Sequence, residues 1–420
     1  MLSPKMYTTI YLLSLAYCAQ AQPGCTDPQA MNFNANATQN DGSCLYPITS
    51  YAPVFKSNLG SDLKEISGLD LAKGEWWGHN DSGFDPDFFS IDPENGGLLK
   101  KISLKDAHNR DWEDVCSDGF SLYFGDFGNN NNDRQNLGIY RVPFSAIGNG
   151  SNQTINANEY NFLPFAYPDQ TDYSTTSEDS TIFDCEAMIF TKGKLHLFLK
   201  NRKEYQTTHY AFNPINSSIQ KLESFDTQGL ITGASLSPDG KTIALVGYDI
   251  RGLPIVFCWL LWDWQAGTDM FFSGNKRRIE LGSAFSIGQV ESIGFNTNRS
   301  GYIANERTEY AGILFVQQRT WAFDFSPWLP QSVATQNPSN KVENLLRVYP
   351  NPSTGILFLE SEAAQQNEVR LQVINPLGIP VLSFQGIPDH LDLSHLQPGI
   401  YTLHAALPDA TQSFQKFLRI

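Results

Sequence analysis

Asp111-Trp112-Glu113-Asp114-Val115 and, 73 residues on, Asp184-Cys185-Glu186-Ala187-Met188 align as two copies of one short segment with a glutamate at its centre. Three further segments align with them: Glu65-Ile66-Ser67-Gly68-Leu69, Ile231-Thr232-Gly233-Ala234-Ser235 and Gln289-Val290-Glu291-Ser292-Ile293. Each is followed by a turn and a second strand-like run that ends in polar residues: Gly78-His79-Asn80-Asp81, Gly125-Asp126-Phe127-Gly128, Lys200-Asn201-Arg202, Gly247-Tyr248-Asp249 and Asn305-Glu306-Arg307. A third run comes next, at Phe88–Asp92, Leu137–Val142, Thr208–Phe212, Ile255–Leu261 and Ile313–Gln317. Glu65, Glu113, Glu186, Gly233 and Glu291 stand 48, 73, 47 and 58 residues apart. Four-stranded propeller blades repeat at about 40–50 residues, and period-two alternation argues strand over helix. The pattern predicts an all-β chain with a five-bladed β-propeller over residues 50–328. The polar stretch Asp169–Asp184 fills the long interval as an inserted loop. Six blades are the alternative, with the extra unit in Glu159–Tyr167 or shared between Tyr51–Leu59 and Thr320–Phe325, where it would close the ring and remove an exposed edge.

A residue type recurring at one place in the innermost strands becomes a ring around the axis. Glu65, Glu113, Glu186 and Glu291 are expected there, with Gly233 as the gap. Gathered carboxylates repel, and a bound cation is the simplest compensation. Oxygen ligands without His or Cys favour Ca²⁺ or Mg²⁺ over zinc, and Ca²⁺ is the expected divalent ion. The competing reading has these glutamates bonding the backbone of the next blade. The polar ends of the second strands form a second level, where Asp81, Lys200, Arg202, Asp249, Glu306 and Arg307 are candidate ligand-binding residues. His79 and Asp126 are the candidate general bases. Cys116 and Cys185 flank two repeats and are candidates for pairing, which leaves Cys258 buried. The tryptophans Trp76, Trp77, Trp112, Trp259, Trp262 and Trp264 read as packing residues between blades. No G-x-S-x-G, H-E-x-x-H or Walker pattern occurs.

The 420 residues carry 29 basic and 44 acidic side chains, a formal charge of -15. That balance disfavours nucleic acid or an anionic membrane surface as a partner. No run of 18 apolar residues is present, so no transmembrane helix is expected. Residues 1–21 read as a signal peptide, with Lys5, an apolar run from Ile10 to Ala16, and a cleavage site after Ala21. In an oxidising compartment Cys25 and Cys44 should staple the hydrophobic-poor segment 22–47. Its Asp27, Asn32, Asn34, Asn36 and Asp41 are either turn formers or oxygen ligands for Ca²⁺. A polar linker, 329–344, precedes residues 345–420. There strand-like runs at Ile356–Glu360, Val369–Ile374, Val381–Phe384, Ile400–Ala405 and Phe414–Leu418, broken by Pro-Gly turns, predict a small β-sandwich.

Three resemblances add to this reading. Gly24-Cys25-Thr26-Asp27-Pro28 with Asp41-Gly42-Ser43-Cys44 resembles repeats of secreted bacterial surface proteins, which act as spacers or adhesive modules. Tyr349-Pro350-Asn351-Pro352-Ser353-Thr354-Gly355, Asn375-Pro376-Leu377-Gly378, Leu396-Gln397-Pro398-Gly399-Ile400-Tyr401 and Lys416-Phe417-Leu418-Arg419-Ile420 together resemble the C-terminal sorting domain of the type IX secretion system. That implies the secretion machinery as a partner and an extracellular or outer-membrane surface location. The middle region, from Glu65-Ile66-Ser67-Gly68-Leu69 and His79-Asn80-Asp81-Ser82-Gly83 through Gly125-Asp126-Phe127-Gly128-Asn129-Asn130, is similar to secreted phytase-like and SMP-30-like esterase or lactonase propellers. The resemblance implies an acidic, often calcium-bound channel; chemistry does not transfer with a fold. Three functions follow as expectations. One is a surface propeller binding a divalent cation and an unidentified extracellular ligand. Another is a metal-dependent hydrolase, a phosphoesterase or lactonase, with a metal-bound water as nucleophile and Asp126 or His79 as base. The last is an adhesive or scaffold protein.

Overall fold

The computed structural model describes residues 21–176, 180–310, 314–330, 347–360, 369–375, 380–406 and 412–420. The expected signal peptide lies outside them except for Ala21, and so does the expected linker after Pro330. The chain divides into two compact units, one up to Pro330 and one after it.

In the first unit all five repeated segments are strands. Ile66–Ala72, Trp112–Ser117, Cys185–Thr191, Leu230–Leu236 and Val290–Phe295 each begin a sheet of four or five strands. The sheets are numbered one to five in that order. Each first strand pairs antiparallel with the next strand in sequence: Glu75–Asn80, Ser121–Asp126, Lys194–Leu199, Thr242–Asp249 and Ser300–Asn305. Val290–Phe295 is buried at every position, so both faces need cover. The neighbouring sheets supply it. The first strands contact one another in the cyclic order one, two, three, four, five, one. Between successive sheets lie apolar layers, for example Trp77 and Phe88 with Trp112 and Phe124, or Ile189 and Phe198 with Ile243 and Phe257. The tryptophans expected between sheets lie in or against these layers.

Two expectations about the sheets change. The third strand of sheet five is Arg319–Asp324, not Ile313–Gln317. Part of the latter, Leu314–Val316, pairs instead with Thr308–Tyr310 in a separate hairpin, while Arg319–Asp324 places Phe323 in the core. The segments considered for a sixth unit contribute strands to these sheets. Val54–Asn58 pairs with Arg319–Asp324, so residues preceding sheet one complete sheet five. Asn161–Pro164 closes sheet two, and Asn152–Ile155 adds in parallel to sheet one. Among the described residues of this unit there are five sheets of four or more strands.

Cys25 and Cys44 are disulfide-bonded. Their segment is fixed to sheet four: Asn40 donates to Asp263 and to Asn275 Oδ1, Lys276 to Gly42 O, and Arg277 to Gln29 Oε1 while lying over the Tyr46 ring. Gly42 adopts φ 74°, and a side chain there would strike the Ser273 carbonyl. The segment's polar side chains close turns and local contacts. Asp27 accepts from Gln29 N and the Tyr46 hydroxyl, Asn34 from Asn36 N, and Asp41 from Ser43 N. Cys116, Cys185 and Cys258 are free and buried. The Cys116–Cys185 pairing fails on register. Cys116 lies three residues beyond Glu113 and Cys185 one before Glu186, whose carboxylates adjoin. The offset is about 13 Å of strand, against the roughly 7 Å a disulfide spans.

The second unit has a three-stranded and a four-stranded sheet around one core that includes Leu357, Leu371, Val373, Leu391, Leu403 and Phe417. The Asn351 side chain bonds Lys416 O and Leu418 N, and Ser353 N bonds Leu418 O. Two motifs distant in sequence are thereby one structure, with the first capping the edge of the last strand.

A buried carboxylate cluster as the candidate functional site

Residues two apart in an extended strand face the same side. Asp111 and Glu113 therefore present together at the head of sheet two, as do Asp184 and Glu186 at the head of sheet three. The carboxylate oxygens of Asp81, Asp111 and Glu113 lie within 4.8 Å of one another, and so do those of Glu113, Asp184 and Glu186. Glu113 belongs to both groups. Glu291 and Glu306 of sheet five are near enough to feel the charges of Glu186 and Asp81. Asp81, Lys200 and Glu306 come together because each follows the end of a second strand.

Seven carboxylates thus face two cations. Lys200 Nζ lies 3.0 Å from Glu186 Oε1. Arg202 lies 3.4 Å from Asp184 Oδ2 and 3.7 Å from Glu186 Oε1, and donates to Asn130 Oδ1 at 2.6 Å. Burial and mutual repulsion hold Asp81, Asp111, Glu113, Asp184, Glu291 and Glu306 toward their neutral forms. Burial, then Asp81 and Glu186, pushes Glu113 well above the ordinary carboxylate range. Burial does the same to Glu291, opposed by Lys200. Asp81 is raised to about 7 by burial and then Asp111, Asp184 to about 7 by burial and then Glu186, and Asp111 to about 6 by burial and then Asp184. Glu306 rises to about 8 through burial and then Asp81. Glu113 is 3% exposed, and among the described residues no donor bonds its carboxylate. Its neighbour Asp114, facing the other way, accepts from Val115 N at 2.8 Å and Met188 N at 2.7 Å. Gly128 N bonds Asp111 O, and any Cβ at Gly128 would fall within contact distance of Glu113 Oε1 and Asp111 Oδ2.

The four glutamates expected at one level occupy two. The Glu65 carbonyl accepts from Asp81 N as that of Asp184 does from Lys200 N and that of Gln289 from Glu306 N. Glu65, which is partly exposed, therefore corresponds to Asp184 and to Asp111, not to Glu113. No glutamate follows in this strand: Ser67 pairs with His79 and Gly68 is the unpaired bulge residue, while the Ser67 hydroxyl donates to Glu113 O. Nor is Gly233 the gap. The unpaired bulge residue of sheet four is Thr232, as Glu186 and Glu291 are in theirs, and its hydroxyl donates to Val290 O at 2.6 Å. Bonding to the next sheet, expected of the glutamates, falls to this serine and threonine.

The candidate bases are buried away from solvent, and His79 Nε2 and Asp126 Oδ2 have no hydrogen-bond partner among the described residues. His79 is fully buried against Trp112 and Phe124, its Nδ1 on Asn80 O, and burial lowers its pKa to about 4. Asp126 is paired with Arg134 at 2.7 Å and Arg110 at 3.7 Å and holds Asp111 N at 3.2 Å, so it anchors the loop beneath the cluster. Asp249 is clasped by Arg251 at 2.9 and 3.0 Å, and Arg307 is exposed over the Phe315 ring. The unforeseen members are Asp111 and Asp184. Their signal was present in the Asp-x-Glu spacing of both repeats.

Residues 347–418 match the secretion system C-terminal sorting domain. The chain therefore carries the address of type IX secretion and is exported to the cell surface or beyond. No helix among the described residues is long and apolar enough to cross a membrane. No curated protein matches the chain in sequence. Among solved structures, an exo-beta-1,3-galactanase from Phanerochaete chrysosporium aligns at 10% identity over 88% of this chain and 99% of its own, with a TM-score of 0.39. The Kuenenia stuttgartiensis hydrazine synthase aligns at 11% identity over 72% and 75%, with a TM-score of 0.34. PorZ, a type IX secretion component of Porphyromonas gingivalis, aligns at 11% identity over 84% of this chain, with a TM-score of 0.26; the chain spans 45% of its length. Likenesses this distant carry no argument about activity.

Proposed function

We propose that residues 50–328 are a five-bladed β-propeller that holds a divalent cation, Ca²⁺, at Asp81, Asp111 and Glu113 and offers it to an extracellular ligand at the cell surface. The cyclic contacts of the five first strands support the architecture, as does the closure of sheet five by Val54–Asn58. One observation carries the site: Glu113 is buried, lacks a donor among the described residues, and has its oxygen within 4.8 Å of both neighbouring carboxylates. Leaving a charge in that state is costly, and an ion removes the cost. Ligands drawn from separate strands and loops suit the wider, more adaptable shell of Ca²⁺ better than the strict octahedron of Mg²⁺. Binding is favoured over hydrolysis because His79 is sealed between Trp112 and Phe124 and Asp126 is ion-paired with Arg134, so neither faces the carboxylate oxygens of the cluster as a free base. The disulfide segment, docked on sheet four, reads as part of the scaffold more than as a free adhesive module.

The test is a thermal melt of the full chain after EDTA treatment, with and without added Ca²⁺. Ca²⁺ at 100 times its Kd should add about 2.7 kcal/mol of stability, and Glu113→Gln should abolish the shift. Identical melting temperatures with and without Ca²⁺ would remove the metal from this reading.

A further inference from the structure

Direct ion pairs hold the cluster on one side only. Lys200 and Arg202 stand against Glu186 and Asp184, at 3.0 to 3.7 Å. Among the described residues no cation is ion-paired with Asp81, Asp111 or Glu113; Arg110, before the first strand of sheet two, and Arg134, after its second, both pair with Asp126, and Arg134 reaches Asp111 only through the longer-range charge. The place of Lys200 in the repeat is informative. Its N–H bonds Asp184 O as those of Asp81 and Glu306 bond Glu65 O and Gln289 O. Sheets one and five put a carboxylate at this position, and sheet three puts an ammonium there. That ammonium is fixed, with Lys200 4% exposed and its Nζ 5.5 Å from the centre of the Tyr248 ring.

We infer that Lys200 occupies, as a built-in charge, the half of the cluster that would otherwise take a second divalent ion, so that the chain binds one Ca²⁺ and not two. This rests on the metal reading above. Two oxygen groups sharing Glu113 offer the layout of a two-ion site. An ion on Glu186 at about 2.4 Å would press against the ammonium already there, and a buried setting weakens the screening of that repulsion. Arg202 reinforces the exclusion from the Asp184 side. Glu113 is shared by both groups, so with the Glu186 half occupied by the ammonium the single ion falls to the half with Asp81 and Asp111.

The experiment counts Ca²⁺ per full-length chain by elemental analysis after equilibration and desalting. One ion in the native protein and two in Lys200→Met are expected. Two in the native protein, or one in folded Lys200→Met, overturns the inference and leaves the metal reading standing. No ion in either overturns both. Should Lys200→Met fail to fold, calorimetric titration with Ca²⁺ decides. Glu186→Gln, which keeps Lys200, should change affinity by less than about tenfold, and Asp111→Asn should weaken it by more than about 100-fold. The reverse ranking places the ion beside Lys200 and overturns the inference.

Discussion

Sheet three carries two buried polar assemblies. At the head of its first strand, Asp184 and Glu186 enter a cluster in which seven carboxylates face Lys200 and Arg202. On its second and third strands, His196 Nδ1 meets His209 Nε2 at 2.8 Å, and His209 Nδ1 lies 3.3 Å from Glu223 Oε1. Phe198 and Phe271 stack on the His209 ring. Burial lowers both imidazoles, His196 to about 3, so both are neutral and only His196 Nε2 lacks a partner. Burial of titratable groups alone does not distinguish a ligand site from a packed interior. Charge left over after every internal partner is assigned does. The acidic cluster has such a surplus and the histidine pair has none.

The largest expected effect tests that distinction at one atom. Gly128→Ala introduces a methyl group against Glu113 Oε1 and Asp111 Oδ2. Ca²⁺ affinity measured by calorimetry should fall by more than about 100-fold, while the histidine pair is untouched. Unchanged affinity would mean that the ion binds elsewhere.

A smaller effect separates the assemblies by pH. In metal-free protein Asp111, Asp81, Asp184 and Glu306 keep protons up to about 6, 7, 7 and 8, where an unfolded chain has released them near 4. A raised folded pKa stabilises fully below the unfolded value and is lost as pH rises through the folded one. The metal-free protein should therefore lose stability steadily between about pH 4 and 8. Saturating Ca²⁺ should flatten that slope. A metal-free melting temperature that rises across this range would contradict the cluster's charge state.

How much of this was legible follows from where each signal sits. The five first strands were readable because their apolar and polar residues repeat with a shared order. Ile313–Gln317 was misplaced because a hairpin strand and a sheet strand alternate alike; only the partner Val54–Asn58, more than 250 residues away in sequence, selects Arg319–Asp324. Glu65 and Gly233 were misassigned for a related reason. Each first strand contains a bulge, and the bulge adds a residue that a linear alignment cannot see. Within the cluster, Asp81, Lys200, Arg202 and Glu306 could be named because they end second strands. The engagement of Asp249 by Arg251 and of Asp126 by Arg134 depends on side-chain reach, which spacing does not encode.

The smallest effect tests the histidine pair and has the opposite sign. Its folded pKa values are depressed, so an unfolded chain takes up protons near pH 6.5 that the folded protein refuses. Stability is intact above that value and falls as pH drops toward about 3. Glu223 and Asp269 oppose the depression, and Lys192 and Lys194 add to it, so the loss is confined to pH below about 6.5. His196→Phe with His209→Leu replaces both partners by apolar groups, a change that can be nearly neutral at pH 7 because neither polar group is stranded. In thermal melts this double variant should lose the acid limb of the pH profile and keep the Ca²⁺-sensitive alkaline limb. If both limbs vanish together, the two assemblies are coupled through the first and second strands of sheet three, and the cluster cannot be treated as a site independent of the core beneath it.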